Sequence, residues 1–198
     1  MKEMIRFARA VLMVVAALSG ARSVSALSPA CEIIASVPDQ QLVVVDRGKL
    51  IARYSISTSK FGIGDETGSY RTPLGTLFVS GKFGDRLPTG TVIKNRLPTG
   101  EVVAANAPAR DAIVSRVIWL RGMETRNHAA HDRCIYIHGT PEEHRIGKPA
   151  SFGCVRMRSS DVIALYDLAH IGMHVTITQR RMSDLLPPAE PSLLARSD

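Results

Sequence analysis

Aromatic side chains make up only 5% of this chain, with a single tryptophan, and no segment interleaves them with Lys or Arg. The pattern that marks a nucleic-acid surface is therefore missing, and no nucleic-acid partner is expected. Phosphate-binding loops are missing too. Gly62-Ile63-Gly64-Asp65-Glu66-Thr67 lacks a third glycine and a following helix pattern, and no Gly-Lys-Ser or Gly-Lys-Thr occurs, so no nucleotide cofactor is expected. Internal repeats and low-complexity tracts are absent. The apolar run Ala10 to Leu18 falls well short of a membrane span. Cysteine is scarce, with three residues at 31, 134 and 154, too few for a disulfide-built scaffold.

What is present suits one globular domain: 198 residues, 45% of them hydrophobic and 22% charged. Residues 1–26 read as a secretory signal. Lys2, Arg6 and Arg9 form a positive start, Ala10 to Leu18 is the apolar stretch, and Val24-Ser25-Ala26 offers small residues for cleavage. The alternative is an uncleaved anchor. Removal of the leader lowers the formal charge from +7 to +4, so the remaining domain is mildly basic, suited to an anionic wall or membrane surface. The predicted location is the periplasm or cell envelope. Residues 179–198, with Pro187-Pro188 and Pro191, read as a flexible extension.

Between these ends the chain is punctuated by short β-like runs. Residues 33–58 predict a strand pair, 41–45 and 50–56, around the turn Asp46-Arg47-Gly48-Lys49. Further strands are predicted at 76–79, 101–104, 113–120, 134–138 and 173–177. One helix is predicted from Asp161 to Ala169, with Ser160 as N-cap and Gly172 soon after its end. The fold class is mainly β, a sandwich with one or two short helices.

The chemistry concentrates between Ile135 and Met157. His138-Gly139-Thr140 closes a strand-like run, and Ser151-Phe152-Gly153-Cys154-Val155-Arg156 follows. A thiol becomes an effective nucleophile when an imidazole takes its proton, and glycine beside the cysteine lets substrate approach. Acyl transfer through Cys154 with His138 as base is the expectation.

These motifs resemble the active-site signature of the L,D-transpeptidases, the YkuD-type family of bacterial cell-wall enzymes. Gly68-Ser69-Tyr70-Arg71-Thr72-Pro73-Leu74-Gly75-Thr76 is similar to the family's threonine-proline-x-glycine loop. The resemblance covers residues 31–178 and implies an L,D-transpeptidase-like catalytic domain. It implies that Cys154 attacks a peptidoglycan stem peptide and that His138 takes the thiol proton while its other nitrogen donates to the Gly139 carbonyl. Ser151 then supports the thiol loop, and Arg156, Phe152 and Gly153 face substrate. The acceptor implied is a neighbouring stem-peptide amine, an envelope-protein lysine or a D-amino acid. The thiol and imidazole suffice for this chemistry, so neither a metal nor an organic cofactor is expected. One departure stands out: the family usually has Ser-His-Gly-Cys, where a histidine helps position the acyl group or its oxyanion, and this chain has Phe152. That change makes a peptidoglycan-binding pseudoenzyme the alternative.

With Cys154 assigned to chemistry, Cys31 and Cys134 remain, either as a disulfide or as two free thiols. His128, His131, Cys134 and His138 offer a competing zinc-binding constellation, although the spacing differs from a standard finger. Alternation along a strand would put Cys134, Tyr136 and His138 on one face.

Overall fold

The computed structural model describes residues 30–108 and 110–186. The predicted leader at 1–26 and the end of the tail from 187 on lie outside the described residues. Among the described residues are ten strands and one α-helix: β1 (Cys31–Ser36), β2 (Gln41–Asp46), β3 (Lys49–Ser55), β4 (Gly75–Phe83), β5 (Thr91–Lys94), β6 (Leu97–Val102), β7 (Val114–Gly122), β8 (Tyr136–Gly139), β9 (Val155–Met157), α1 (Ser159–Leu168) and β10 (His174–Thr178). The protein is mainly β, as its composition of short strands and turns implies.

All ten strands join one mixed sheet in the order β3-β2-β1-β10-β4-β7-β5-β6, with β8 branching from β7 and β9 from β8. The branch point is possible because β7 is long and uses both edges. Phe83, Lys82 and Gly81 of β4 pair with Val117, Ile118 and Trp119, whose other side takes His138, Ile137 and Tyr136 of β8. Alternation along β7 then separates two apolar clusters. Ile118 and Leu120 enter the main core with Ile33, Leu77 and Leu165. Val117 and Trp119 point the other way, toward Ile93 and Tyr136. At ~25 cal/mol per Å² of apolar surface the main core, with far more members than the others, supplies most of the hydrophobic stabilisation. The smaller cluster forms the floor of the site.

Several elements differ from expectation for non-local reasons. β1 was not predicted, because its partner β10 lies at the far end of the described chain; in register, Ile33 faces Val175 and Ala35 faces Ile177. β6 runs through Pro98-Thr99-Gly100 and is exposed throughout, an edge position where proline is tolerated. The helix starts at Ser159 and Ser160 does not cap it. Glu143, from the connection between β8 and β9, accepts the Ser159 N–H at 2.9 Å and supplies the cap from a distance. After β10, Met182 is buried among Val43 and Val45, and its N–H donates to Asp39 at 2.6 Å, so the start of the extension is anchored on the back of the sheet.

The three cysteines are free thiols. Cys31 lies in the main core and Cys134 in the smaller cluster across the sheet, so the Cys31–Cys134 bridge is not formed.

Candidate active site

The site rests on a three-residue parallel ladder, in which Ile137, His138 and Gly139 of β8 pair with Val155, Arg156 and Met157 of β9. Parallel neighbours need a long crossover, supplied by residues 140–154. Ile137, Val155 and Met157 are fully buried in the main core. By the period-two rule His138 and Arg156 face the opposite side, as does the cysteine two residues before Arg156. The pattern of apolar residues thus fixes the orientation of the candidate chemical groups.

His138 is 4% exposed, and its Nδ1 lies 2.8 Å from the Gly139 carbonyl oxygen. A carbonyl only accepts, so Nδ1 carries the proton and Nε2 is left with its lone pair. Residue 139 must be glycine here: a Cβ would stand 2.5 Å from the Val114 carbonyl oxygen. Burial pulls the His138 pKa down to about 4, with the Arg156 charge adding to it against the Gly139 hydrogen bond. The ring is therefore neutral at pH 7, the form that accepts a proton.

Cys154 is partly exposed at the residue level, but burial pushes its thiol pKa up to about 11, opposed by a hydrogen bond from Tyr136. The Tyr136 N–H donates to Sγ at 3.4 Å, and Sγ donates to the Cys134 carbonyl at 3.4 Å. Among the described residues no hydrogen bond joins Sγ to the His138 ring. Both groups line one cavity of about 140 Å³ with Phe152, Arg156 and Asp111. The resting pair is thus a neutral thiol and a neutral imidazole, and proton transfer has to accompany attack.

The cysteine loop is held by hydroxyls. Ser151 Oγ donates to the Cys154 carbonyl at 2.6 Å and accepts the Gly153 N–H at 3.2 Å. Gly153 has φ +119°, a conformation other residues rarely adopt, which turns the chain sharply into Cys154. Thr72, fully buried, donates through Oγ1 to the Gly153 carbonyl at 2.9 Å and accepts the Ser59 N–H at 3.0 Å. Arg133 completes the brace, pairing with Asp65 at 2.9 Å and donating to the Arg71 carbonyl at 2.6 Å.

Arg156 is also buried, and each terminal nitrogen is engaged: with Glu142 at 2.9 Å and with Asp111 at 2.7 Å. It borders the cavity, yet both prongs of its fork hold protein carboxylates rather than standing open to a ligand. Phe152 is 48% exposed and packs with Phe61 and Tyr70, at ring-centroid distances of 5.7 and 5.9 Å, with the Lys60 ammonium 4.2 Å from its centroid. A second cavity of about 440 Å³, lined by residues including Ile93, Arg96, Cys134 and Tyr136, shares Ala112 and Ile113 with the first.

Residues 32–177 match the L,D-transpeptidase catalytic domain. The chain belongs to the L,D-transpeptidase catalytic domain family. Solved L,D-transpeptidases share its fold. One from Xylanimonas cellulosilytica is 18% identical with TM-score 0.50, covering 75% of this chain and 60% of that one. L,D-transpeptidase 3 from Mycobacterium tuberculosis, in complex with a faropenem-derived adduct, is 16% identical with TM-score 0.49, covering 75% and 60%. One from Mycobacterium smegmatis is 17% identical with TM-score 0.48, covering 75% and 58%. The chain thus spans about 60% of the length of these solved relatives. No curated protein sequence matches it.

Within this L,D-transpeptidase domain the zinc constellation is not assembled. His131 stacks on Trp119 at 3.9 Å, and His128 Nδ1 contacts the Thr125 carbonyl at 2.6 Å. Among the described residues no group of three or more His, Cys, Asp or Glu is arranged around a metal site. Cys134 lies just before β8 with φ +57°, yet it packs in the smaller cluster with Tyr136, on the side of the sheet that His138 faces, as the alternation predicts. Sequence reasoning missed Asp111, Glu142 and Asp65, which carry no local signal because their partners lie in other loops. For Thr72 the threonine-proline-x-glycine motif was visible, but not its contact with the cysteine loop.

Two predictions follow from this geometry. Between pH 6.5 and 4 the unfolded chain binds a proton at His138 that the folded protein does not. Stability should therefore fall as pH drops through that window, by up to ~1.4 kcal/mol per pH unit from this ring alone. Urea unfolding of wild type and His138→Gln across the window should give a shallower slope for the variant, and parallel slopes would refute the assignment. Thr72→Val keeps the shape but strands the buried Ser59 N–H, at a cost of about 1–3 kcal/mol, while Thr72→Ser retains most of the stability. Thermal unfolding of the two variants checks this.

Proposed function

We propose that this chain is an exported L,D-transpeptidase that works on peptidoglycan stem peptides through a Cys154 acyl-enzyme. The observation that carries the reading is the His138 Nδ1 contact with the Gly139 carbonyl. It leaves Nε2 as the acceptor in the cavity that Cys154 also lines. On this reading substrate binding turns Sγ from the Cys134 carbonyl toward Nε2. The ring takes the thiol proton as sulfur attacks the peptide carbonyl, and the oxyanion forms against backbone N–H groups at Cys154. Collapse of the intermediate breaks the amide bond, His138 gives its proton to the leaving amine, and a thioester remains. An acceptor amine then attacks the thioester, His138 takes its proton, and the thiol is restored.

Family membership and the paired positions of His138 and Cys154 support this reaction, with Ser151, Gly153 and Thr72 acting as supports for the loop. Arg156 serves best as a brace between the cysteine strand and the segments carrying Asp111 and Glu142. A neighbouring stem peptide, an envelope-protein lysine or a D-amino acid each supplies the required amine. The raised thiol pKa and Phe152 favour the second reading, a peptidoglycan-binding pseudoenzyme, because each removes help that a hard amide bond demands.

Incubation with a disaccharide-tetrapeptide, followed by mass measurement of protein and muropeptide, separates the two. An acyl-enzyme with product is expected; binding with neither supports the pseudoenzyme. Cys154→Ala should abolish transfer in a folded protein, and a carbapenem should leave its adduct on Cys154, since a strained acyl donor needs less assistance. Mapping of the adduct elsewhere, or full turnover by Cys154→Ala, would overturn the assignment.

Phe152→His gives a further test. The phenyl ring sits in an apolar triangle under an ammonium group, and aromatic pairs contribute about 0.5–1.5 kcal/mol beyond area burial. Its replacement should lower kcat/KM by about two- to tenfold with every amine acceptor. A rise would mean that a missing polar donor outweighs the aromatic packing.

A further inference from the structure

Cys134 is a second thiol beside the first, and the reaction just described does not use it. Its own carbonyl receives the Cys154 S–H at 3.4 Å, so the Cys154 sulfur already rests against the backbone of residue 134. The two side chains belong to the same apolar cluster, and each is partly exposed. They line adjoining cavities, Cys134 in the larger and Cys154 in the smaller. Cys134 also has φ +57°, a left-handed conformation uncommon for a residue other than glycine and frequent where a chain is held for function. The Arg96 guanidinium, 3.2 Å from the Tyr136 hydroxyl, lines the larger cavity with Cys134. Cys31 is remote from this arrangement, in the main core.

We infer that Cys134 and Cys154 form a reversible disulfide under peroxide, a modification that blocks the thiol while shielding it from irreversible oxidation. The chemistry balances with hydrogen peroxide as oxidant. One thiol sulfur attacks a peroxide oxygen, the O–O bond breaks, and a sulfenic acid and water result. The other thiol then attacks that sulfur, the S–S bond forms, and the sulfenic oxygen leaves as a second water. The two thiols lose two hydrogens and two electrons, and peroxide is reduced to water. The product is the same whichever sulfur is oxidised first. Closure requires Cα atoms roughly 4.4–6.8 Å apart, so it takes rotation of the side chains and whatever backbone movement brings residues 134 and 154 to that separation. A dithiol reverses the step by exchange.

The blocking effect rests on Cys154 being the nucleophile, but the disulfide itself does not, so the two are tested separately. The full chain, reduced and then freed of reductant, is treated with a modest excess of hydrogen peroxide and followed by intact mass and peptide mapping. The expected result is a protein lighter by two hydrogens, with one cross-linked peptide pair containing Cys134 and Cys154. Carbapenem labelling is expected to be lost in step with the bridge and to return with dithiothreitol. In Cys134→Ser the same treatment should add oxygen to Cys154, and continued exposure should abolish labelling beyond rescue by dithiothreitol. Oxygen added to wild-type Cys154 as fast as in Cys134→Ser, or a bridge to Cys31, would overturn the proposal. A reduced protein that no carbapenem labels would count against the nucleophile, while the mapped bridge would still decide the disulfide.

Discussion

Everything in the site depends on the short parallel pairing of β8 with β9. Three residues on each strand suffice, because the inward members, Ile137, Val155 and Met157, are fully buried in the main core and cannot slip by one position. A one-residue shift would turn that apolar set to the outer face and drive His138 and Arg156 into the core. The hydrophobic register is therefore also the register of the candidate chemistry. The relative height of the histidine and the cysteine is set by residues that touch neither substrate nor proton.

So short a ladder cannot hold a loop by itself, and the surroundings supply the rest with buried polar contacts. Ser57 brackets β9 through backbone bonds in both directions with Arg156, at 2.9 and 2.8 Å. Arg156 ties β9 to Glu142 and Asp111, while Thr72 and Ser151 hold the turn at Gly153. Ion pairs of this kind, with Arg156 buried but Asp111 exposed, are weak contributors to net stability, since desolvation of the guanidinium offsets much of the attraction. Their value here is positional. Removing one partner leaves an unpaired charge close to the cavity, so the network specifies one arrangement of the segments it joins.

The strands with simple alternation and nearby partners were legible in the sequence: β2, β3, β7 and β10 fall within a few residues of expectation. So was the joint placement of His138 and Cys154, because both sit in short motifs whose residue types carry meaning together. The elements that escaped were those whose justification lies elsewhere in the chain. β1 is a strand because β10 and β2 flank it, and α1 begins at Ser159 because Glu143 caps it. The role of Arg156 was undecidable from a motif, since surface pairing, loop bracing and carboxylate binding all use the same residue. Only the positions of Glu142 and Asp111 separate them. Alternation also placed Cys134 correctly, in the smaller cluster with Tyr136, although its left-handed backbone stands outside β8.

The electrostatics of the pair expose a tension that the aromatic wall helps to resolve. Burial disfavours both charged forms, holding the imidazole pKa near 4 and the thiol near 11, so an ion pair at rest is far from equilibrium at neutral pH. Such a thiol reacts slowly with electrophiles in solution, peroxide included, because only a small fraction is thiolate. On the proposed reaction it gains reactivity when an acyl group occupies the cavity and the developing oxyanion meets fixed backbone dipoles, which makes attack and proton transfer favourable together. Phe152, held by Phe61 and Tyr70, borders that cavity with a ring that offers apolar surface and competes for no hydrogen bond there. A charged group in the place of Phe152 would stabilise one ionic form of the pair at all times. An apolar ring leaves the choice of protonation state to the substrate.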